Sequence, residues 1–263
     1  MIEELTKIAV EAALKSGEIL KKGFGTSFDI FSKKGKNNLV TEFDKLSEKT
    51  IIEYIHSVFP DHVFLAEESG KTGELLNNKI RWIIDPLDGT VNFAHGLPIF
   101  SISIAAELNH EIISGVVYHP LLDELFVAEK GKGAYLNDKQ LKVSNNSDLD
   151  SSMLVTGFPY NVNQNPCGCI DHFVNIIKRG IPVRRLGSAA LDLAYVAAGR
   201  FDGFWEINLN PWDVAAGILL VQEAGGKVSQ YSGDAYWIDN DSILATNGRI
   251  HNSISKILSS CNC

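Results

Sequence analysis

The sequence predicts an α+β fold, and three observations carry that prediction. Two long segments with helical apolar spacing open the chain. A series of short apolar runs separated by turn residues follows. After a polar break at Ser144-Asn145-Asn146-Ser147-Asp148, strand-like and helix-like segments alternate. The expected division is residues 1–145, two helices and a mostly antiparallel sheet, and residues 146–263, an α/β half. A length of 263 residues with 45% hydrophobic content suffices for one large domain or two closely packed ones.

The first helix is read from Ile2, Leu5, Ala9, Ala12, Ala13 and Leu20, and Gly23 and Gly25 stop it. A Lys-rich loop, Ser32 to Asn38, leads to Thr41-Glu42-Phe43-Asp44, which opens a second helix. Phe43, Leu46, Tyr54, Ile55 and Val58 form its expected buried stripe, and Phe59-Pro60-Asp61 ends it. Strands are expected at Val63 to Ala66, Ile80 to Ile84, Phe100 to Leu108, Ile112 to Tyr118, Glu124 to Ala128 and Gly131 to Leu136. Asn109-His110 and Asn137-Asp138 are their turns. In the second half, strands at Met153 to Thr156, Val183 to Leu186 and Asp202 to Glu206 interleave with helices at Ile170 to Lys178, Ser188 to Ala198 and Val214 to Ala224. A last helix runs from Ile250 to Leu258.

Composition excludes several classes. No apolar stretch reaches the ~18–20 residues of a membrane span. The opening Met1-Ile2-Glu3-Glu4 carries acid where an export signal carries base, so a cytoplasmic protein is expected. A formal net charge of −8 argues against a nucleic-acid surface, but not against an anionic substrate held through metal ions. The four cysteines, Cys167, Cys169, Cys261 and Cys263, lack Cys-x-x-Cys spacing. They read as reduced thiols, with a Cys-x-Cys metal or redox role as the alternative.

The chemistry concentrates in Trp82-Ile83-Ile84-Asp85-Pro86-Leu87-Asp88-Gly89-Thr90. An apolar strand delivers Asp85 at its end, Pro86 bends the chain, and Asp88 returns close enough to share an ion. Gly89 and Thr90 offer backbone N–H groups to an anion. Carboxylates with a carbonyl are hard oxygen donors, suited to Mg²⁺ or Mn²⁺ rather than zinc. An Asp-rich turn capping its own backbone has the same spacing. Two further acidic sites bear on the choice. Glu67 and Glu68 follow an apolar strand, and Asp213 stands at a helix start behind Pro211. Singly, these fit a solvated loop and a dipole-favoured helix residue; together they favour a site.

Three of these segments, Glu67-Glu68-Ser69, Asp85 to Thr90 with Asn92-Phe93, and Trp212-Asp213-Val214-Ala215-Ala216-Gly217, resemble the inositol monophosphatase signature. Asn38 to Asp44 resembles that family's mobile loop and following helix start, and Gly187 to Arg200, running into Asp202-Gly203-Phe204-Trp205-Glu206, also fits. The likeness runs from about residue 4 to 250. It implies a layered α-β-α-β-α sandwich, usually a homodimer, and a phosphomonoesterase with two to three Mg²⁺ per site. By this resemblance Glu67, Asp85 and the Leu87 carbonyl hold one ion, and Asp85, Asp88 and Asp213 a second; a third leans on Glu67. Glu67 and Thr90 position and deprotonate the attacking water, with Asp44 hydrogen-bonded near Thr90. Thr41-x-x-Asp44 is also a capping-box pattern. The phosphate rests on Gly89 and Thr90, and substrate hydroxyls meet Asp88, Gly187, Ser188, Ala189 and Glu206. Lys33 and Lys36 close over the site, or are plain solvated surface.

One departure separates this chain from some inositol-specific members. Asn210-Pro211 stands where those carry His-Cys, as in bacterial members. Inositol 1-phosphate is the expected substrate, on the strength of Glu206. Fructose 1,6-bisphosphate, NADP and histidinol phosphate are the alternatives within the fold family. A second role, contact with the transcription machinery in antitermination, comes with the bacterial relatives and would run through protein contacts. Lithium inhibition follows from the same resemblance.

Overall fold

The computed structural model describes residues 1–32, 39–75 and 78–259. In chain order the elements are α1 (Ile2–Gly23), β1 (Ile30–Ser32), β2 (Leu39–Thr41), α2 (Glu42–Val58), β3 (Val63–Ala66), β4 (Gly70–Thr72), β5 (Ile80–Asp88), α3 (Thr90–Ala94), β6 (Ser101–Leu108), β7 (Glu111–His119), β8 (Glu124–Glu129), β9 (Gly133–Leu136) and β10 (Lys139–Gln140). They continue as β11 (Leu154–Thr156), α4 (Cys169–Ile177), β12 (Val183–Arg184), α5 (Ala189–Ala197), β13 (Gly203–Ile207), α6 (Pro211–Glu223), β14 (Lys227–Ser229), β15 (Ser242–Thr246) and α7 (His251–Leu258).

An eight-stranded sheet has the order β10-β9-β8-β7-β6-β5-β3-β4. All its pairs are antiparallel except β3 with β5. The turns expected at Asn109-His110 and Asn137-Asp138 are present, with both residues of each at positive φ, as tight hairpins require. A five-stranded sheet has the order β12-β11-β13-β15-β14 and is mixed: β11 pairs in parallel with β12 and β13, and β15 antiparallel with β13 and β14. Side-chain alternation along the strands sorts three cores. Trp82, Ile84, Ile104 and Val116 face Leu5, Leu20, Ile51 and Ile55 of α1 and α2. Ile83, Ala105 and Val117 face α5 and α6, whose other side takes Val155, Phe204, Ile243 and Ala245 of the smaller sheet. That sheet's outer face, Leu154, Trp205 and Leu244, is covered by Ile176 of α4 and Ile254 and Leu258 of α7. The result is the expected α-β-α-β-α sandwich. Among the described residues, no helix is long and apolar enough to cross a membrane.

Three readings change. The buried face of α2 is Asp44, Ser47, Glu48, Ile51 and Ile55, whereas Leu46 and Val58 are exposed. The helix turns a polar stripe inward because each of those polar groups has a hydrogen-bond partner, described below. The strand read as ending near Asp85 runs through Pro86 to Asp88. Pro86 is tolerated because it lies within an irregularity of the β5–β6 ladder. Strands β14 and β15 were not anticipated, although Ile243-Leu244-Ala245 is an apolar run. Lys33, Lys36, Asn38, Cys261 and Cys263 lie outside the described residues.

Candidate active site

The site is built on that irregularity. Asp85 pairs with Ser103 and Asp88 with Ser101, so β5 carries one residue more than β6 across the interval. Such a bulge re-aims side chains. The Leu87 N–H donates to Asp85 Oδ1 at 3.0 Å. From α2, Ser47 Oγ donates to the Pro86 carbonyl at 2.7 Å, and Ser47 in turn bonds Ser16 of α1, so two helices pin the bulge. Gly89 follows with φ 96°. A Cβ there would stand 2.9 Å from the Ile99 carbonyl, so both conformation and crowding demand glycine. Thr90 then opens the short helix α3. Phe93 anchors α3 among Phe24, Phe28, Phe43 and Phe100, at ring-centre distances of 5.8, 5.3, 5.7 and 5.0 Å.

Asp44 joins α2 to this turn. Its Oδ2 accepts from the Thr41 N–H at 2.7 Å and the Thr41 hydroxyl at 2.6 Å, closing a capping box. Its Oδ1 accepts from the Thr90 hydroxyl at 2.8 Å, and the Leu87 carbonyl lies 3.0 Å from the same hydroxyl. One turn on, Glu48 accepts the Glu68 and Ser69 N–H groups, both at 2.8 Å. The Glu67 N–H donates to the Ile84 carbonyl at 3.2 Å. The Glu67 segment is therefore tied to both α2 and β5.

The second half supplies the facing wall. Asp88 Oδ2 accepts from the Ser188 hydroxyl at 2.6 Å and the Ala190 N–H at 2.7 Å, at the start of α5. Asn92 donates to the Ile99 and Leu186 carbonyls, both at 2.8 Å, which fixes the approach to Gly187. Asp213 closes its own capping box on the Asn210 N–H at 2.7 Å. Glu206, at the end of β13, is 8% exposed. Its carboxylate lies against Gly157, where an added Cβ would come within 2.1 Å of Oε2.

Burial and mutual repulsion dominate the electrostatics. Asp85 is held well above the carboxylate range by burial, then by Glu67, Asp88 and Asp213. Asp213 is raised by burial and Asp88, and Glu206 by burial, Asp213 and Asp88. Burial pushes Asp88 to about 6 despite its Ser188 and Ala190 bonds, and Asp44 to about 6 despite Thr41 and Thr90. Acids crowded this way either hold protons or are neutralised by a cation. Hard oxygen donors of this kind fit Mg²⁺ or Mn²⁺. Among the described residues, no three acids, histidines or cysteines form a ready ligand cage. Carbonyl and water oxygens would complete the coordination, as Mg²⁺ commonly requires.

Of the residues singled out in the sequence, Glu67, Asp85, Asp88, Asp213 and Glu206 interact electrostatically as one group. Thr90 and Asp44 bond each other beside the Leu87 carbonyl. Ser188 is one of Asp88's two partners, with Ala190, and Gly187 and Ala189 stand beside it in the chain. Sequence reading missed Ser47 and Glu48, inward polar residues on the helix that Thr41 caps, and Gly157. It also gave no role to Asp192, 1% exposed, whose Oδ1 has no hydrogen-bond partner and which feels Glu206 and Asp88.

Asp85 and Asp88 of β5, Glu206 of β13 and Asp213 of α6 thus converge within a five-layer α-β-α-β-α sandwich. The inositol monophosphatase family model matches residues 1–262. An inositol-1-monophosphatase of Mesorhizobium japonicum is 42% identical over 254 residues, 96% of this chain and 95% of its own length. The Nus factor SuhB of Escherichia coli K12 is 45% identical over 247 residues, 94% of this chain and 92% of its own. The crystal structure of the extragenic suppressor protein suhB from Bartonella henselae superposes with a TM-score of 0.91 at 41% identity, covering 97% and 98% of the two chains. The chain belongs to the inositol monophosphatase family.

Proposed function

We propose that this chain is a Mg²⁺-dependent phosphomonoesterase that hydrolyses inositol 1-phosphate or a similar polyol phosphate to the alcohol and phosphate. The observation that carries this reading is the meeting of four acids, Glu67, Asp85, Asp88 and Asp213, with the Thr90–Asp44 pair around one β-bulge. Glu67, Asp85, the Leu87 carbonyl, Asp88 and Asp213 would hold the ions. When bound, Mg²⁺ neutralises the phosphate, makes a water more acidic and stabilises the leaving alkoxide.

The chain's own groups supply the rest. With its hydroxyl hydrogen directed at Asp44 Oδ1, Thr90 Oγ1 presents lone pairs to a neighbouring water. It can take a proton from that water as it passes its own to Asp44. Burial makes Asp44, at about 6, a stronger base than an exposed aspartate. Gly89 and Thr90 N–H groups orient the phosphate. Glu206, with Asp88 and the Gly187–Ala189 turn, receives the polyol hydroxyls. Fructose 1,6-bisphosphate and NADP are the competing substrates.

A second role, contact with transcription machinery, is supported by the several relatives named Nus factor SuhB. The deciding experiment is phosphate release from inositol 1-phosphate, fructose 1,6-bisphosphate, NADP, histidinol phosphate and glycerol 2-phosphate, with Mg²⁺ or EDTA, for the native chain and Asp85→Asn. Mg²⁺-dependent release that favours inositol 1-phosphate and disappears in Asp85→Asn is expected. A folded chain that releases no phosphate from any of them leaves the transcription role.

A further inference from the structure

Glu67 occupies a thinly supported place in the larger sheet. Glu67, Glu68 and Ser69 form the turn between β3 and β4. Those strands have four and three residues, pair antiparallel from Phe64–Thr72 to Ala66–Gly70, and β4 is an edge of the sheet. A hairpin this short is marginal by itself in water, and an edge strand is bonded on one side only. Elements of this kind open locally at far lower cost than the centre of a sheet. Yet Glu67 acts on Asp85 more strongly than any other acid does, and Asp85 is buried within the long strand β5. The two carboxylates can share an ion only if the hairpin turn is held still against β5.

Two ties hold it. On the entry side, β3 runs parallel to β5 with Ala66 opposite Ile84, and the Glu67 N–H donates to the Ile84 carbonyl at 3.2 Å. On the exit side, beyond the β3–β4 ladder itself, the next two N–H groups go to one side chain. Glu48 Oε2 accepts from the Glu68 N–H and Oε1 from the Ser69 N–H, both at 2.8 Å. Consecutive N–H groups that converge on one anion are a common anion-binding device. Here a carboxylate of the chain itself fills it. Glu48 is 4% exposed, and Ile51 and Ile55 fix its helix in the core below, so the grip is anchored in packed structure.

We propose that Glu48 is a positioning residue for the metal centre, setting Glu67 by gripping the two backbone N–H groups that follow it. This rests on the reading of Glu67 as a Mg²⁺ ligand. Both oxygens of Glu48 are engaged by the turn, so its effect on the ion passes through Glu67. A carboxylate is needed because it offers two acceptors. In Glu48→Gln one of them becomes a donor, which opposes one of the turn N–H groups. Glu48→Asp keeps the charge but withdraws both oxygens by one methylene.

The test uses the full chain, freed of metal with EDTA and dialysed. Mg²⁺ binding is measured by calorimetry, and hydrogen exchange is followed at the Glu68 and Ser69 amides, for the native chain, Glu48→Gln, Glu48→Asp and Ile55→Val. Ile55→Val thins the core under the same helix and controls for lost stability alone. Both Glu48 variants should speed exchange at the two amides and raise the Mg²⁺ Kd about 10–100-fold. Ile55→Val should lower Tm and leave both readouts unchanged. An Mg²⁺ Kd unchanged in both Glu48 variants, or raised equally by Ile55→Val, overturns the positioning role. So does a native Kd in Glu48→Asp, which would assign the effect to charge. A native chain that binds no Mg²⁺ overturns the metal centre itself, and the positioning role with it.

Discussion

Asp44 divides its two oxygens between structure and chemistry. Oδ2 closes the cap of α2 and Oδ1 receives the Thr90 hydroxyl. Asp44→Asn replaces one acceptor with a donor, which must then oppose either Thr41 or Thr90. We expect kcat/KM for the phosphate ester to fall about 10²–10⁴-fold. The native rate should rise as pH increases through about 6, because the base must be ionised, and this limb should flatten in the variant. A second residue-scale prediction concerns the leaving alcohol. In Gly157→Ala, the added methyl would lie 2.1 Å from Glu206 Oε2 and must displace it. KM for inositol 1-phosphate should rise about tenfold, with little change for an aryl phosphate. Equal losses on both substrates would remove Glu206 from alcohol recognition. The importance of Gly157 could not be read from the sequence, because it arises from a side chain 49 positions away.

At the scale of elements, the junction of α2 with β5 decides the site. The apolar periodicity of α2 pointed to Leu46 and Val58, yet its inward face presents Asp44, Ser47 and Glu48. Hydrophobic periodicity cannot reveal a helix face whose polar groups are satisfied by a neighbouring strand and loop. Ser47 links that face to the Pro86 carbonyl within the bulge. Ser47→Ala leaves this buried acceptor unsatisfied and should cost about 1–3 kcal/mol in urea unfolding. It should also raise the Mg²⁺ concentration for half-maximal activity, because Asp85 and Asp88 flank Pro86. A stability loss with unchanged Mg²⁺ dependence would show that the bulge holds without its pin.

Across the whole molecule, the acids set a pH-dependent balance. Asp44 and Asp88 are raised from an ordinary 3.8 to about 6, and Asp85, Asp192, Glu206 and Asp213 are raised too. With folded values above the unfolded ones, all these ionised forms cost stability; for Asp44 and Asp88 the cost is full above about pH 6 and is relieved as pH falls toward 4. His251 acts in the opposite sense. It is buried between Ser229 and Thr246 and lowered from 6.5 to about 4, so its contribution is full above 6.5 and is lost as pH falls to about 4. The metal-free pH profile therefore mixes two signs, but the increment from Mg²⁺ isolates the acids. The rise in Tm on adding Mg²⁺ should be larger at pH 7.5 than at pH 5.5, where protons compete for the same carboxylates. Calorimetry with and without EDTA at the two pH values measures it, and an equal rise at both would separate these acids from the metal.

By itself the sequence determined the order of most elements, both hairpin turns, and the acidic segments at Glu67, Asp85-x-x-Asp88 and Asp213, because caps, turn residues and strand ends are local. The resemblance of those segments determined the layered sandwich that the structure displays. Only tertiary structure decided which groups meet. Asp88 finds its partners at Ser188 and Ala190, a hundred residues on. Glu48 anchors the segment after Glu67, and β15 enters between β13 and β14 to complete the second sheet. The physical reason is that burying a carboxylate is costly unless partners are waiting. Those partners come from strands and helices distant in sequence, where no local pattern records them.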